Sequence, residues 1–279
     1  MKESVLITGC SSGIGYCVAQ GLHARGYRVF ATARREESVA MLRSEGLESL
    51  RLDLNDSVSI HQAVAEVLQR TDGKLYALFN NGAYGLPGAV EDLSREAIRA
   101  QFETNFFGWL ELTNLVLPVM RQQGYGRIIQ NSSVLGFAAM PFRGAYNASK
   151  FALEGLSDTL RLELRGTQIF VSLIEPGPIA THFRANAMQA LVRYIDIEKS
   201  AHRDRYLAVQ SRLNKKGAAV PFTLQPEAVL QKVIHALEAS QPATRYYVTF
   251  PTHLFGLLKR VLPVWMLDKL LAKAGSDHQ

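Results

Sequence analysis

Tyr146 and Lys150 close the segment Tyr146-Asn147-Ala148-Ser149-Lys150. On a helix, positions i and i+4 share a face, so a phenol and an ammonium project together. A free phenol titrates near about 10 and is a poor acid or base at neutral pH. A neighbouring ammonium favours phenolate, which tunes a tyrosine for moving a proton to or from an oxygen. Taken alone, this spacing is common and ordinarily marks a surface pair. Ser133 lies upstream, just past an expected strand end, where its hydroxyl can bond a substrate oxygen beside the phenol. Asn105, in Glu103-Thr104-Asn105-Phe106-Phe107-Gly108, interrupts an otherwise good helical pattern, a place where an amide usually faces solvent or a neighbour.

A second constellation stands near the N-terminus. Thr8-Gly9-Cys10-Ser11-Ser12-Gly13-Ile14-Gly15 falls between an expected strand and an expected helix. Glycines there allow a tight turn and close backbone approach, and the helix N-terminus offers free N–H groups to a pyrophosphate. The spacing is G-x-x-x-G-x-G, not G-x-G-x-x-G, and a glycine turn alone also fits a plain strand-to-helix loop. The next strand bears on the nucleotide. NAD sites place an acid there for the ribose 2′-hydroxyl, whereas NADP sites accommodate a 2′-phosphate with arginine. Ala31-Thr32-Ala33 offers no acid, and Arg34-Arg35 follows at once. A guanidinium fork suits a phosphate, and Ser12 can add a hydroxyl. The plainer alternative is two solvated arginines paired with Glu36 and Glu37.

The elements that must hold these groups alternate between strand and helix patterns, which predicts a parallel sheet covered on both faces. Strands are expected at Val5–Thr8, Arg28–Ala33, Leu50–Leu52, Leu75–Asn80, Arg127–Asn131, Ile169–Ile174 and Arg245–Thr249. Helices are expected at Ile14–Arg25, Ser57–Arg70, Ser94–Gln122, Ala145–Arg165 and Pro226–Ala239, with helical composition over Arg184–Lys216. The result is an α/β, Rossmann-like doubly wound sheet of about seven strands forming one domain over residues 1–279. A substrate lid is expected over residues 182–225.

Composition sets the outer bounds. The chain has 279 residues, 47% hydrophobic and 20% charged, which is ordinary for a globular protein with a large core. Cys10 and Cys17 form no disulfide framework, and Met1-Lys2-Glu3 runs almost directly into Val5-Leu6-Ile7, leaving no room for a signal peptide. A cytoplasmic protein is therefore expected. No apolar run reaches the roughly 20 residues of a spanning helix. The formal charge of +6 is modest, and neither a nucleic-acid-binding motif nor a metal site is read.

Together these residues resemble the classical short-chain dehydrogenase/reductase family over essentially the whole chain. Gly9, Ser11, Ser12, Gly13, Ile14 and Gly15 match its cofactor motif, and Asp53, followed by Leu54, matches the acid that bonds adenine. Asn80-Asn81-Gly82-Ala83 resembles its N-N-A-G motif with the last two residues exchanged, which leaves the local turn geometry open. Asn105, Ser133, Tyr146 and Lys150 match the catalytic tetrad. Pro176-Gly177-Pro178-Ile179-Ala180-Thr181 looks like the segment at the nicotinamide, where Thr181 bonds the carboxamide or a phosphate. Within the family the motifs look like the 17β-hydroxysteroid and retinol dehydrogenase branch, with bacterial NADP-dependent aldehyde reductases in the same neighbourhood.

The resemblance implies NADPH along the carboxyl edge of the sheet. Ser133 would position a carbonyl oxygen and Tyr146 protonate it. Lys150 would bond the nicotinamide ribose and lower the tyrosine pKa, and Asn105 would hold a water linking Lys150 to solvent. By the family's layout, Leu135, Phe137, Met140 and Phe142 flank the cleft on one side and Ile179, Phe183 and Met188 on the other, with Tyr84 and Leu86 beside them. No wall position is charged, so the expected substrate is a hydrophobic aldehyde or ketone, or the corresponding alcohol. Leu135, Met140 and Phe183 are the residues expected to touch it. A steroid- or retinol-type alcohol dehydrogenase is the alternative, and a non-catalytic NADP-binding sensor is the rival from another class. The helices expected at Ser94–Gln122 and Ala145–Arg165 carry apolar residues on more than one side, and the resemblance implies that they form a dimer interface, so a homodimer is expected, with a tetramer as the alternative. A C-terminal amphipathic helix is expected over residues 252–273, kinked at Pro263, where apolar residues alternate with Lys259, Arg260, Lys269 and Lys273. It can lie on a membrane surface, but packing over the pocket or against a partner subunit is preferred.

Overall fold

The computed structural model describes residues 3–215, 217 and 220–275. Met1 and Lys2 at the start of the expected domain, Lys216 at the end of the expected helical stretch, and Ala218 and Ala219 in the lid lie outside the described residues. So does the terminal stretch 276–279. The chain alternates β1 (Ser4–Ile7), α1 (Gly13–Ala24), β2 (Arg28–Ala33), α2 (Glu36–Ser44), β3 (Glu48–Arg51), α3 (Ser57–Arg70) and β4 (Ala77–Asn80). It continues with α4 (Arg95–Phe102), α5 (Gly108–Gln123), β5 (Tyr125–Asn131), α6 (Gly144–Glu163) and β6 (Gln168–Glu175). Last come α7 (Phe183–Tyr194), α8 (Arg203–Asn214), α9 (Glu227–Glu238), β7 (Arg245–Tyr247), α10 (Phe250–Val261) and α11 (Val264–Gly275).

The seven strands form one parallel sheet in the order β3-β2-β1-β4-β5-β6-β7. Side chains alternate across it. Val5, Ile7, Val29, Ala31 and Phe79 face one core with α1, α2 and α9, whereas Leu6, Phe30, Leu78 and Ile128 face the other with α3, α5 and α6. Both faces are thus buried, which is why the strands read as nearly continuous apolar runs. The order reverses between β1 and β4, and ligands of such sheets bind in the crevice outside the carboxyl ends at that point.

Local chemistry sets the element ends. Asp56 caps α3 by accepting from Val58 N (3.0 Å) and Ser59 N (3.3 Å), Ser94 caps α4 through Ala97 N (3.1 Å), and Gly124 at φ +85 ends α5. Three expectations change. The helix expected over Ser94–Gln122 is broken by a π-helical turn at Glu103–Phe107, which separates α4 from α5. α2 was not expected; Val39 and Leu42, three apart, bury its inner face, and Glu36 and Glu37 occupy its first turn. The C-terminal helix is two helices, because Pro263 cannot continue α10. Their inner side packs on the loop after β5, where Phe255 and Leu271 join Val134 and Ala138.

Candidate active site

Side chains from three strands tie the carboxyl edge together. Thr8, one residue past β1, accepts at Oγ1 from the N–H groups of Asn81 (2.8 Å) and Gly82 (2.9 Å). Asn81 Nδ2 donates to the Thr8 carbonyl (2.9 Å), and Asn131 Nδ2 donates to Asn81 Oδ1 (2.9 Å). Glycine permits the close approach. Gly9 sits at φ +71, and a Cβ there would lie 2.6 Å from Gly82 Cα; a Cβ on Gly15 would lie 2.3 Å from the Gly9 carbonyl oxygen. The exchanged pair therefore keeps its glycine where one is needed: Gly82 meets Gly9, its carbonyl accepts from Trp109 Nε1 (2.8 Å), and Ala83 packs into the core.

α1 starts at this edge. Ser12 is its N-cap, in extended conformation, with a hydroxyl that makes no capping bond and no acid in the following turn. The first N–H groups and the positive dipole end are left for an anion. Gly13, at φ +60, brings Thr181 to the same corner: a Cβ on it would lie 3.0 Å from Thr181 Cγ2. Ile14 follows, partly buried, and Ser11 is exposed. Arg34 is exposed just past β2; among the described residues Glu36 pairs with Arg51 (4.0 Å), not with Arg34 or Arg35.

Asp53 and Leu54 follow β3. Asp53 Oδ1 accepts from Asn55 N (3.0 Å), and Leu54 presses so closely on α5 that only Gly108 fits, a Cβ there lying 2.1 Å from the Leu54 carbonyl oxygen. Pro176 and Gly177 follow β6; the Pro176 carbonyl accepts from Val134 N (2.8 Å), and Gly177 is backed by Thr249. Ile179 bridges to Leu224 of the lid. Asn80 differs from the rest. It is fully buried, and its Nδ2 donates to Thr113 Oγ1 (3.1 Å), so its side chain braces α5. The uncapped α1 N-terminus, the unspent Ser12 hydroxyl and the glycine floor fit a dinucleotide. Among the described residues no cluster of three or more His, Cys, Asp or Glu side chains is gathered for a metal.

Ser133, Tyr146, Lys150 and Asn105 converge beside this edge. Ser133 lies two residues past β5 and accepts at Oγ from Leu135 N (3.1 Å). The expected lowering of the Tyr146 pKa by Lys150 is not what the site displays. Burial pushes the phenol up to about 12, and the hydrogen bond with Ser133 is what pulls against it. Lys150 is itself buried. Its Nζ donates to the Asn131 carbonyl (2.7 Å) and lies 4.2 Å from the Trp109 ring centre and 5.8 Å from that of Tyr146. Burial pulls this ammonium down to about 7, with Glu154 opposing. Asn105 lies in the π-helical turn and is fully buried, so it does not face solvent. It grips the Tyr84 peptide from both sides, Nδ2 donating to the carbonyl (2.8 Å) and Oδ1 accepting from the N–H (3.2 Å); Nδ2 also reaches Ser149 Oγ (3.3 Å), next to Lys150.

The expected substrate walls divide into two groups. Phe183 meets the Tyr146 ring edge-on at 5.4 Å and fills the space beside Gly85. Leu135 and Met140 instead join Phe137 under α10 and α11, and Tyr84 and Leu86 pack with the lid residue Ala190. Arg184 donates to lid carbonyls, including that of Lys215 (2.8 Å). A groove of about 1130 Å³ runs between α1 and the lid, with Gly13 and Thr181 among the residues that line it.

One feature escaped sequence reasoning. Behind Lys150, Arg245 of β7 reaches Glu154 (3.1 Å) and Asp158 (2.7 Å) of α6 and Glu175 (3.1 Å) at the end of β6. Glu175 is fully buried and pushed up to about 8, first by burial and then by Glu154, with Arg245 opposing. The signal was a carboxylate four residues after Lys150 and another closing an apolar strand.

The comparisons agree with this geometry. The family described as short chain dehydrogenase matches residues 3–191. An uncharacterized oxidoreductase of Escherichia coli strain K12, YbbO, is 43% identical over 97% of this chain and 94% of its own length. Human retinol dehydrogenase 8 is 34% identical over 87% of this chain and 80% of its own. A solved actinorhodin polyketide ketoreductase with NADPH superposes at a TM-score of 0.72, with 30% identity, covering 88% of this chain and 95% of that one. Since the family match takes in more than half of the chain and these likenesses reach across most of it, the protein belongs to the short-chain dehydrogenase/reductase family, near its steroid and retinol branch.

Proposed function

We propose that this oxidoreductase is an NADP-dependent reductase of hydrophobic aldehydes or ketones. The observation that carries the reading is the placement of the Tyr146 phenol, buried, hydrogen-bonded with the Ser133 hydroxyl and set against the Phe183 ring. A protonated phenol is ready to donate, which is what a nascent alkoxide requires. Ser133 Oγ would hold the carbonyl oxygen while Tyr146 Oη delivers its proton there. A bound reduced nicotinamide would supply the hydride, so that one carbonyl takes one hydride and one proton and leaves as an alcohol. Lys150 Nζ, oriented by the Asn131 carbonyl, would bond the nicotinamide ribose, and Asn105 would fix the Tyr84 loop beside it.

Arg34, exposed and free of the neighbouring acids, and Ser12, with its hydroxyl unspent, would receive the 2′-phosphate. The NADPH carried by the similar ketoreductase supports the same choice. Exposed Phe107, Phe151 and Leu162 on the side of α5 and α6 support a homodimer through those helices. Oxidation of a retinol-like alcohol is the second reading, supported by the retinol dehydrogenase relative.

The test is NADPH consumption against aldehydes from acetaldehyde to decanal. kcat/KM should rise by up to about fourfold per added CH₂, or about 0.8 kcal/mol, until the pocket is full. A flat or falling trend, or a preference for a sugar, would overturn the apolar pocket. No consumption with any carbonyl would return the protein to the class of NADP-binding sensors.

A further inference from the structure

The last two helices turn one face inward and leave the other bare. Phe250, Leu254, Leu257 and Val261 fall at i, i+4, i+7 and i+11 of α10, a single stripe, and all four are exposed. Past the bend at Leu262–Pro263, Val264 and Trp265 are 73% and 61% exposed, and Leu270 on α11 is exposed as well. Trp265 contrasts with Trp109, the other tryptophan of the chain, which is fully buried. Single exposed apolar side chains are ordinary, whereas a contiguous patch marks a surface that meets something.

The charges on the same helices select what it meets. Arg260, Lys269 and Lys273 stand against one acid, Asp268, between residues 250 and 275, and all four are exposed, whereas Lys259 turns towards α6, its Nζ 5.2 Å from the centre of the Phe151 ring. Two copies pressed together through this face would bring like charges onto one another. An anionic bilayer surface satisfies both features: the indole and aliphatic groups enter the acyl boundary while the cations meet phosphate. No helix among the described residues is long and apolar enough to cross a membrane, so the contact is a surface one.

We propose that the outer face of α10 and α11 docks on a bilayer rich in anionic phospholipid. Docking does not depend on the carbonyl reading. Where both hold, it sets the loop carrying Leu135 and Met140, which these helices cover from inside, beside a store of lipophilic carbonyls.

The experiment is flotation of the whole chain with vesicles of phosphatidylglycerol and phosphatidylcholine in equal parts, and with phosphatidylcholine alone. The protein should float with the anionic vesicles, float far less with the neutral ones, and be released by raised salt. Tryptophan emission should shift to the blue on binding, a shift that Trp265→Phe removes because Trp109 is already buried. Leu257→Ser with Trp265→Ser, and separately Arg260→Glu with Lys269→Glu, should each weaken binding by about tenfold or more while the melting transition stays in place. If the apolar double variant fails to fold, the charge variant and the wild-type emission shift decide. Failure to float with anionic vesicles overturns the proposal, as does equal binding by every variant. A concentration-dependent dimer that Leu257→Ser with Trp265→Ser dissolves, without vesicle binding, assigns the face to a second copy instead.

Discussion

Lys150 donates to the Asn131 carbonyl across 2.7 Å while its ammonium stands 4.2 Å from the centre of the Trp109 ring. One carbonyl and one π face are a thin replacement for water, and burial accordingly pulls the lysine down to about 7 from its usual 10.5. The folded state therefore releases this proton earlier than the unfolded chain does, and stability gains as pH rises through that interval. Lys150→Met should raise the melting temperature of the cofactor-free protein below about 7, with the advantage shrinking towards 10.5. It should also weaken NADPH binding. A melting difference that is flat with pH would mean that the ammonium bears no burial cost.

Glu175 has the opposite sign. Its folded pKa, about 8, lies above the usual 4.5, so the stability it contributes is present below 4.5 and is lost as pH rises through about 8. Glu175→Gln keeps the shape and removes the titration. Its melting temperature should decline less than that of wild type across this interval. Parallel curves for the two proteins would show that Arg245 fully compensates the buried charge.

Gly15→Ala would set a Cβ 2.3 Å from the Gly9 carbonyl oxygen, where backbone must yield. A loss of more than about 1 kcal/mol is expected in urea melts, with NADPH affinity falling alongside because the phosphate-binding turn is displaced. Unchanged stability and affinity would mean that the turn opens freely.

Arg34→Ala tests the nucleotide preference. The ratio of kcat/KM for NADPH over NADH should fall by about tenfold, the lower end of a charge-assisted bond at an exposed site, and mainly through NADPH. A wild-type preference for NADH, or an unchanged ratio, would remove Arg34 from the 2′-phosphate site.

The sheet was legible because buried parallel strands read as apolar runs, and the pairing of Tyr146 with Lys150 because the two lie on one helix face; Ser133 and Asn105 were joined to them by the family resemblance. What the sequence hid depended on distant partners. Asn105 lies in a π-helical turn and grips the Tyr84 peptide, twenty-one residues earlier in the chain, which no helical periodicity reveals. Arg245 is joined to Glu154 and Glu175 only by the folding of β7 beside β6. The apolar character of Leu135, Met140 and Phe183 was plain, but not that α10 and α11 would cover the first two while Phe183 stood over Tyr146. The pKa of Tyr146 was expected to fall under its lysine. It rises instead, because the phenol itself is buried, and only the hydrogen bond with Ser133 pulls against that.

Tyr146→Phe removes one oxygen and leaves the ring against Phe183, so it tests proton donation with little else changed. The decisive measurement is turnover of decanal by this variant, made together with its NADPH affinity. Turnover should fall by about 10²–10⁴-fold with affinity near that of wild type. Turnover within a few-fold of wild type would contradict the assignment of Tyr146 as the proton donor.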